Sequence, residues 1–484
     1  MHLKKQQTYQ EFQFNMAKIG LEIHCQLTKL ESKLFCSCKA DYRSFEPNTN
    51  ICPVCIGLPG SLPRLNQKVI EKGTLISLAL NCKIPEKISF FRKNYFYPDL
   101  PKNYQITQFD AYGPTSIGNN GKINIEGKEI RITRIQLEED PGRLIYEGTS
   151  EKNKITLVDY NRAGTPLVEV VTEPDFENPK QVRVFMNILV DLLENLGVSD
   201  PSLEGAVRTD GNVSIEGGNK VEIKNVGSFH DLEKAVHFEI TRQQSLVERG
   251  IPVELETRQW DDRRKITVSA RSKEEEQDYR YFLEGDIPWI LLDPKYVEQF
   301  KQNMPESIAS KRDRYIEQFK IPAQVADVLS SDKFYSDLFE QANNEKNAKE
   351  VANIITTDLM GFVDTKEKRQ QLKLTSKHLS DLANAIINNT ITRNSSKSAL
   401  QEIVKTGKSL NEIISELDLG HVSDESELST VIEEVINEES DAVKEIQEKP
   451  ETVNFLVGKV MKKTKGKADP SITLEILKKK LKIV

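Results

Sequence analysis

The sequence predicts an α+β protein: a mixed α/β, β-rich region first, then helical regions to the C-terminus. Three observations predict it. Short alternating apolar and polar segments, separated by turn signals, recur from residue 17 to about 292. From about 295, glycine and β-branched alternation thin out and a helical period takes over. The charge pattern then divides the end of the chain, acidic over 410–451 and basic beyond. The expected regions are 1–294, 295–408 and 409–484, and a chain of 484 residues is long enough for several cores.

The strand segments come in order as Ile19–Leu27, Lys122–Ile132, Ile155–Asp159, Leu167–Thr172, Asn212–Ile215 and Val221–Ile223. Gly-Asn-Asn-Gly (118–121) and Glu-Gly-Gly-Asn (216–219) are turn signals among them. Two helices interrupt. Pro179–Leu196 carries Val182, Phe185, Ile188, Leu189 and Leu192 at helical spacing and stops at Gly197; His230–Arg249 stops at Gly250. In the helical region, Val351, Ile354, Ile355 and Leu359 mark one apolar face before Gly361.

Charged residues make up 29% of the chain and hydrophobic ones 38%, the balance of an ordinary soluble protein. No apolar run approaches a membrane span, and the polar stretch Met1–Asn15 has neither a signal-peptide core nor transit-peptide character. A cytoplasmic protein without membrane contact is expected. The net charge of −7 argues against a generic nucleic-acid binder. Locally the balance reverses: residues 452–483 hold nine lysines against Asp469 and Glu475. Such a patch attracts phosphate backbones, though a solvated helix end has the same composition.

Cys36, Cys38, Cys52 and Cys55 form C-x-C and C-x-x-C pairs across a short loop, a spacing that suits tetrahedral Zn²⁺. In a reducing compartment a metal is favoured over a disulfide framework; buried thiols or a redox pair are the alternatives. Cys25 and Cys82 stand alone and are read as packing residues.

Glu22 and His24 lie two apart on an expected strand, so both side chains leave one face. Glu169 sits inside the apolar run Leu167–Val171, where a carboxylate is costly unless its charge is offset. Glu138, Glu139 and Asp140 precede the Pro141-Gly142 turn. These acids and one imidazole could supply ligands to Mg²⁺; surface acids around a hydrogen-bonded core histidine are the simpler account on composition alone. No G-x-x-x-x-G-K-[ST] loop is present, so a nucleotide would need another device. The segment from Arg92 to Asp99 mixes cations with aromatics, and Arg208–Ser214 with Val221–Asn225 reads as paired strands carrying polar residues at alternate positions.

Taken in order, these segments resemble one family, the GatB subunits of the tRNA-dependent Asp/Glu amidotransferases. The residues that carry the resemblance are I-G-L-E-I-H (19–24), E-P-N-T-N-I-C-P-V-C-I-G-L-P-G (46–60), R-K-N-Y-F-Y-P-D-L-P-K (92–102), L-E-E-D-P-G (137–142), N-R-A-G-T-P-L-V-E-V-V-T-E-P-D (161–175), V-E-I-K-N (221–225) and S-K-E-E-E-Q-D-Y-R-Y-F (272–282). The end, from Phe455 through Leu481, is similar to the helical tail shared with YqeY-like proteins. The related archaeal GatE subunit carries an inserted domain, for which there is no space after Tyr281.

The resemblance implies a cradle-shaped catalytic domain over 1–294 with a four-cysteine zinc knot, a helical domain over 295–408 and a YqeY-like tRNA-binding tail over 409–484. It implies an ATP-dependent carbon–nitrogen ligase that phosphorylates the side-chain carboxylate of misacylated Glu-tRNA(Gln) or Asp-tRNA(Asn). Ammonia would come from the amidase subunit of the same enzyme. That amidase subunit, the small third subunit, misacylated tRNA and a non-discriminating aminoacyl-tRNA synthetase are the expected partners. By motif position Glu22, His24, Glu139 and Glu169 match the catalytic Mg²⁺ ligands, and Lys93, Asp210, Asn212, Glu222 and Lys224 are candidate nucleotide and phosphate contacts. Zinc would be structural. Gln136 stands where relatives often have histidine. The competing expectation is a zinc-containing tRNA-binding module without chemistry of its own.

Overall fold

The computed structural model describes residues 17–110, 112–147, 155–272, 276–419, 425–445, 452–464, 468 and 470–481. It divides into two units, Met1–Pro305 and Glu306–Val484.

The strands of the first unit are β1 (Ala17–Gln26), β2 (Lys87–Ile88), β3 (Phe91–Asn94), β4 (Tyr104–Thr107), β5 (Gly118–Ile125), β6 (Lys128–Glu139), β7 (Arg143–Glu147), β8 (Ile155–Asp159), β9 (Pro166–Thr172), β10 (Val207–Ile215), β11 (Val221–Lys224), β12 (Glu256–Asp261), β13 (Ile266–Ser272), β14 (Phe282–Leu283) and β15 (Ile290–Leu291). Eleven of them make one sheet in the order β13-β12-β11-β10-β1-β9-β6-β4-β3-β14, with β5 paired to β6; β2 with β15 and β7 with β8 form small ribbons. All pairs in the large sheet are antiparallel except β11–β12. The expected single strand 122–132 is two strands: the chain reverses at Glu126-Gly127, both at positive φ (48° and 87°). Positive φ at both central residues is what a tight hairpin requires, and Gly127 supplies it without steric cost.

Alternation along the central strands makes the sheet two-faced. Ile19, Leu21 and Ile23 of β1, Ile135 and Leu137 of β6, and Val168 and Val170 of β9 are all buried. They share a core with three helices, α1 (Gln67–Ala79), α2 (Pro179–Asn195) and α3 (Phe229–Glu248), through Ile70, Phe185, Leu189 and Val236. Each such side chain contributes about 1.5–3 kcal/mol by leaving water. Both long helices start where sequence chemistry places them. Asn178 accepts from Gln181 N with Pro179 in the first turn, and Ser228 accepts from Asp231 N. The polar residues of the same strands occupy the other face.

The helix α4 (Pro294–Gln302) packs on α1, where Tyr296 Oη donates to Glu71 Oε1 at 3.1 Å. The first unit therefore runs past the expected 294/295 boundary.

The second unit is helical and has two apolar clusters. The first runs from Tyr315 to Leu419 and takes in Val351, Ile354, Ile355 and Leu359. Leu410 and Ile413 also belong to it, so the helix Leu410–Leu417 packs with the preceding helices rather than the tail, unlike the expected 408/409 division. The second cluster joins the helices Glu425–Glu438, Val453–Lys463 and Pro470–Leu481 through Leu428, Ile432, Val435, Leu456, Val460 and Leu477. Lys459 pairs with Glu439 at 2.5 Å, Lys463 with Glu434 and Glu438 at 2.8 and 2.7 Å, and Lys480 with Glu433. Part of the basic patch is thus neutralised within the tail; Lys465, Lys467 and Lys482 lie outside the described residues. Among the described residues no helix is long and apolar enough to cross a membrane.

Candidate active site and metal centre

Directly opposed residues of antiparallel strands project to the same face. Arg208 of β10 opposes His24 of β1, His24 opposes Glu169 of β9, and Glu169 opposes Gln136 of β6. These four make one row across the polar face. Glu22 begins the next row and opposes Asp210, while Asn212 opposes Glu222 of β11. Successive same-face residues on a strand stand roughly 6.5–7 Å apart. Glu22 and His24 therefore serve different groups, and the acids form two clusters where one was expected.

The first cluster is His24, Glu138 and Glu169, whose ligand atoms lie within 4.8 Å of one another. His24 Nε2 is 3.5 Å from Glu138 Oε1 and 3.6 Å from Glu169 Oε1. Thr107 Oγ1 donates to the other Glu138 oxygen at 3.3 Å. Burial pushes the Glu138 carboxyl above its ordinary value; His24 offsets part of this and Glu169 adds to it. A divalent cation would supply the missing positive charge, and two carboxylates with one imidazole are a donor set it accepts. The residues fit Mg²⁺.

The second cluster is Glu22, Asp210 and Glu222. It already holds a cation of the chain: Lys224 Nζ is 2.7 Å from Asp210 and 3.4 Å from Glu222. Burial opposes the charge of Lys224, but Asp210 and Glu222 outweigh it and raise its pKa. Asn212 Nδ2 donates to Glu22 Oε1 at 3.0 Å, and Thr257 Oγ1 to Glu222 Oε2 at 2.8 Å. Lys93 stands beyond Glu138, its ammonium 4.6 Å from the centre of the Tyr279 ring and 5.7 Å from that of Tyr95.

Glu139, the expected ligand, is in neither cluster. It pairs with buried Lys102 and accepts from Ile106 N at 2.8 Å. It lines a cleft of about 200 Å³ with Cys36, Cys55, Arg92, Lys102 and Asp286. Glu138 takes its place for a reason of parity. Buried Ile135 and Leu137 share a face with Glu139, and Glu138 shares the polar face with Gln136. That alternation was present in the sequence. Gln136 itself is committed: its Nε2 donates to Gln108 O and Ser116 Oγ at 2.9 and 3.1 Å.

The four clustered cysteines do meet: Cys36, Cys38, Cys52 and Cys55 bring their sulfurs within 4.8 Å of one another. Lys33 is wholly buried beside them, with Nζ 3.0 Å from Asn50 O and 3.8 Å from Cys55 Sγ. Cys52 N also donates to Cys55 Sγ at 3.1 Å. The Cys36 thiol, and then the Lys33 ammonium, hold Cys55 well below the usual thiol value against the effect of burial. Four thiolates carry more charge than one Zn²⁺ neutralises, and a buried ammonium offsets the excess. This environment fits zinc. Cys25 and Cys82 are buried elsewhere, and burial raises their thiols to about 11 and about 12.

Comparison with known proteins covers both units. Residues 17–298 match the family described as the GatB/GatE catalytic domain, and residues 337–481 match the one described as the GatB domain. The GatB subunit of the aspartyl/glutamyl-tRNA(Asn/Gln) amidotransferase of Saccharolobus solfataricus is 46% identical over 469 residues, covering 96% of this chain and 99% of that protein. Its counterpart in Sulfolobus acidocaldarius is 46% identical over 472 residues, 97% of this chain and 100% of that protein. The Thermotoga maritima counterpart is 42% identical over 478 residues, 96% and 98% of the two chains.

Proposed function

The chain belongs to the GatB/GatE family, and on that footing we propose that it is the GatB subunit of an aspartyl/glutamyl-tRNA(Asn/Gln) amidotransferase. Its reaction is the ATP-dependent phosphorylation of the side-chain carboxylate of Glu-tRNA(Gln) or Asp-tRNA(Asn), followed by amidation. The enzyme is a glutamine-hydrolysing carbon–nitrogen ligase, in which this chain works with an amidase subunit and a small third subunit.

The chemistry explains why such residues are needed. A carboxylate resists ammonia because it is anionic and its leaving group would be oxide. Transfer of the γ-phosphoryl group of ATP to a carboxylate oxygen releases ADP and leaves an acyl phosphate. Ammonia then attacks the acyl carbon and expels inorganic phosphate. Phosphoryl transfer asks for in-line positioning and charge neutralisation rather than a covalent nucleophile. Mg²⁺ held by His24, Glu138 and Glu169 would neutralise phosphate charge. Lys93 and Lys224 lie on either side of that cluster and suit phosphate oxygens. Asp210 and Glu222 hold Lys224, and Asn212 holds Glu22 in the second row. The zinc knot has a structural role.

The observation that carries this reading is the His24–Glu138–Glu169 cluster on a polar sheet face inside the family-matched span. It is tested in the assembled three-subunit complex with Glu169→Gln. ATP-dependent amidation falls on the order of 100-fold, while glutamine hydrolysis by the amidase subunit persists. Unchanged amidation refutes the reading.

A further inference from the structure

We propose that Arg208 receives the side-chain carboxylate of the aminoacyl-tRNA and so distinguishes the acidic substrate from its amide product. The proposal rests on the phosphorylation reading above and names a residue to which that reading gives no part.

Arg208 stands in the same row as His24 and Glu169, directly opposite His24. Its Nη2 donates to Asp140 Oδ1 at 2.6 Å. The Asp140 side chain has no exposure, whereas that of Arg208 keeps 38%. Asp140 is itself rigidly held. Its other oxygen accepts from Gln26 Nε2 at 2.6 Å, and Gln26 Oε1 accepts from Arg43 Nη2 at 2.7 Å. Its backbone N–H donates to Thr165 O and its carbonyl accepts from Gly164 N, at 2.8 and 2.9 Å. One edge of the guanidinium is therefore fixed from below, with Nε enclosed by protein, and the exposed remainder reaches the polar face.

Several charges meet around Asp140: Asp99, Glu138 and Asp210 also lie within electrostatic reach of its arginines. Arg162 Nε lies 3.7 Å from the same Asp140 oxygen, so two guanidiniums share one carboxylate. Arg162 spends its own donors on Pro141 O and Gly142 O, at 2.9 and 2.7 Å. The Arg208 guanidinium, by contrast, donates only to Asp140 among the described residues, although its Nε is enclosed by protein and lies out of a ligand's reach. A guanidinium anchored on one side and exposed on another completes its bonding with an anionic oxygen group through its exposed N–H groups.

That group could belong to the aminoacyl side chain or to a nucleotide phosphate. Two features favour the carboxylate. Glu22, Glu138, Glu169, Asp210 and Glu222 line the face and repel an approaching carboxylate, which must find a cation in the His24 row to come within reach of phosphate. A planar, pre-anchored guanidinium also matches a planar carboxylate better than a flexible ammonium does. Conversion to the amide removes the negative charge, and with it the charge-assisted bond, so the product is held less tightly than the substrate.

The test measures binding to the assembled complex without ATP, using Glu-tRNA(Gln) against Gln-tRNA(Gln) and Asp-tRNA(Asn) against Asn-tRNA(Asn). The wild-type complex binds at least one acidic form about 10-fold or more tightly than its amide form, the value of one charge-assisted hydrogen bond. Arg208→Gln brings that ratio to about one while Mg²⁺–ATP affinity stays within about two-fold. Arg208→Lys keeps a cation against Asp140, protects the fold, and lowers the ratio several-fold. The proposal is overturned if the wild type does not discriminate, if the folded Lys variant keeps the full ratio, or if nucleotide affinity is lost instead. Because no ATP is present, failure of the phosphorylation reading registers separately, as wild-type complex that forms no acyl phosphate.

Discussion

Glu138 and Glu139 are consecutive in β6 yet belong to opposite faces of the sheet: one lies 3.5 Å from His24 Nε2, the other pairs with buried Lys102. Their neutral variants should therefore fail differently. Glu138→Gln removes a ligand and weakens Mg²⁺ binding, read by titration of the isolated complex, with the melting temperature little changed. Glu139→Gln leaves Lys102 buried without its counter-charge, which costs about 3–5 kcal/mol of stability, while Mg²⁺ affinity persists. Exchange of these two outcomes would return Glu139 to the ligand set.

Zinc should be held by all four clustered cysteines. Purified protein is expected to carry about one zinc per chain, and Cys52→Ser or Cys55→Ser to carry almost none. Chelation should make Cys36, Cys38, Cys52 and Cys55 reactive to alkylating agents while buried Cys25 and Cys82 stay protected. Lys33→Met should speed zinc loss, since it removes the ammonium 3.8 Å from Cys55 Sγ. Equal chelation rates for this variant and the wild type would show that Lys33 contributes nothing to retention.

Tail lysines should not contribute equally to tRNA binding. Lys459, Lys463 and Lys480 face acids of neighbouring segments in the tail. Lys462 and Lys478 lie outside those pairs, and Lys479 has only a loose contact with Glu475 at 3.9 Å. Replacing Lys462, Lys478 and Lys479 by alanine should lower the slope of log affinity against log salt by about 2–3, close to one per phosphate contact. Replacing Lys463 alone should change it little. Removing residues beyond about 410 should weaken tRNA binding and spare glutamine hydrolysis, although it also strips Leu410 and Ile413 from the first apolar cluster of the second unit. Equal affinities for the truncated and intact complexes would remove the tail from tRNA recognition.

Acid stability should depend on Asp175. The Arg131 side chain donates to its two oxygens at 2.9 and 2.6 Å, and Arg131 N donates at 3.0 Å. These bonds hold the carboxyl below its ordinary value. The stabilisation is complete above the unfolded-state value, near pH 4, and is lost as pH falls through the lower folded one. Asp175→Asn should flatten this part of the stability curve below about pH 4 and leave its shape at higher pH unchanged. A variant whose acid limb matches the wild type would assign that limb to other carboxylates.

Local patterns carried much of this protein. The two periods, near two and near 3.6 residues, separated the sheet-rich region from the helical one and located α2 and α3 within a residue or two. Cysteine spacing announced the four-sulfur cluster, and Glu169 stood out as a charge inside an apolar strand. The Glu138 side of β6 was legible as well, from Ile135 and Leu137, but the choice needed the strand's parity rather than its motif.

Other relationships had no local signature. Nothing near Glu22 in the chain says that it faces Asp210 while His24, two residues on, faces Glu169 across the opposite strand. Side-chain alternation is decided by the backbone of one strand and can be read there. Register between strands is decided by how distant segments settle their apolar faces into a common core, so only the folded sheet determines which acids meet, which are answered by Lys224 or Lys102, and why Arg208 is held open by Asp140.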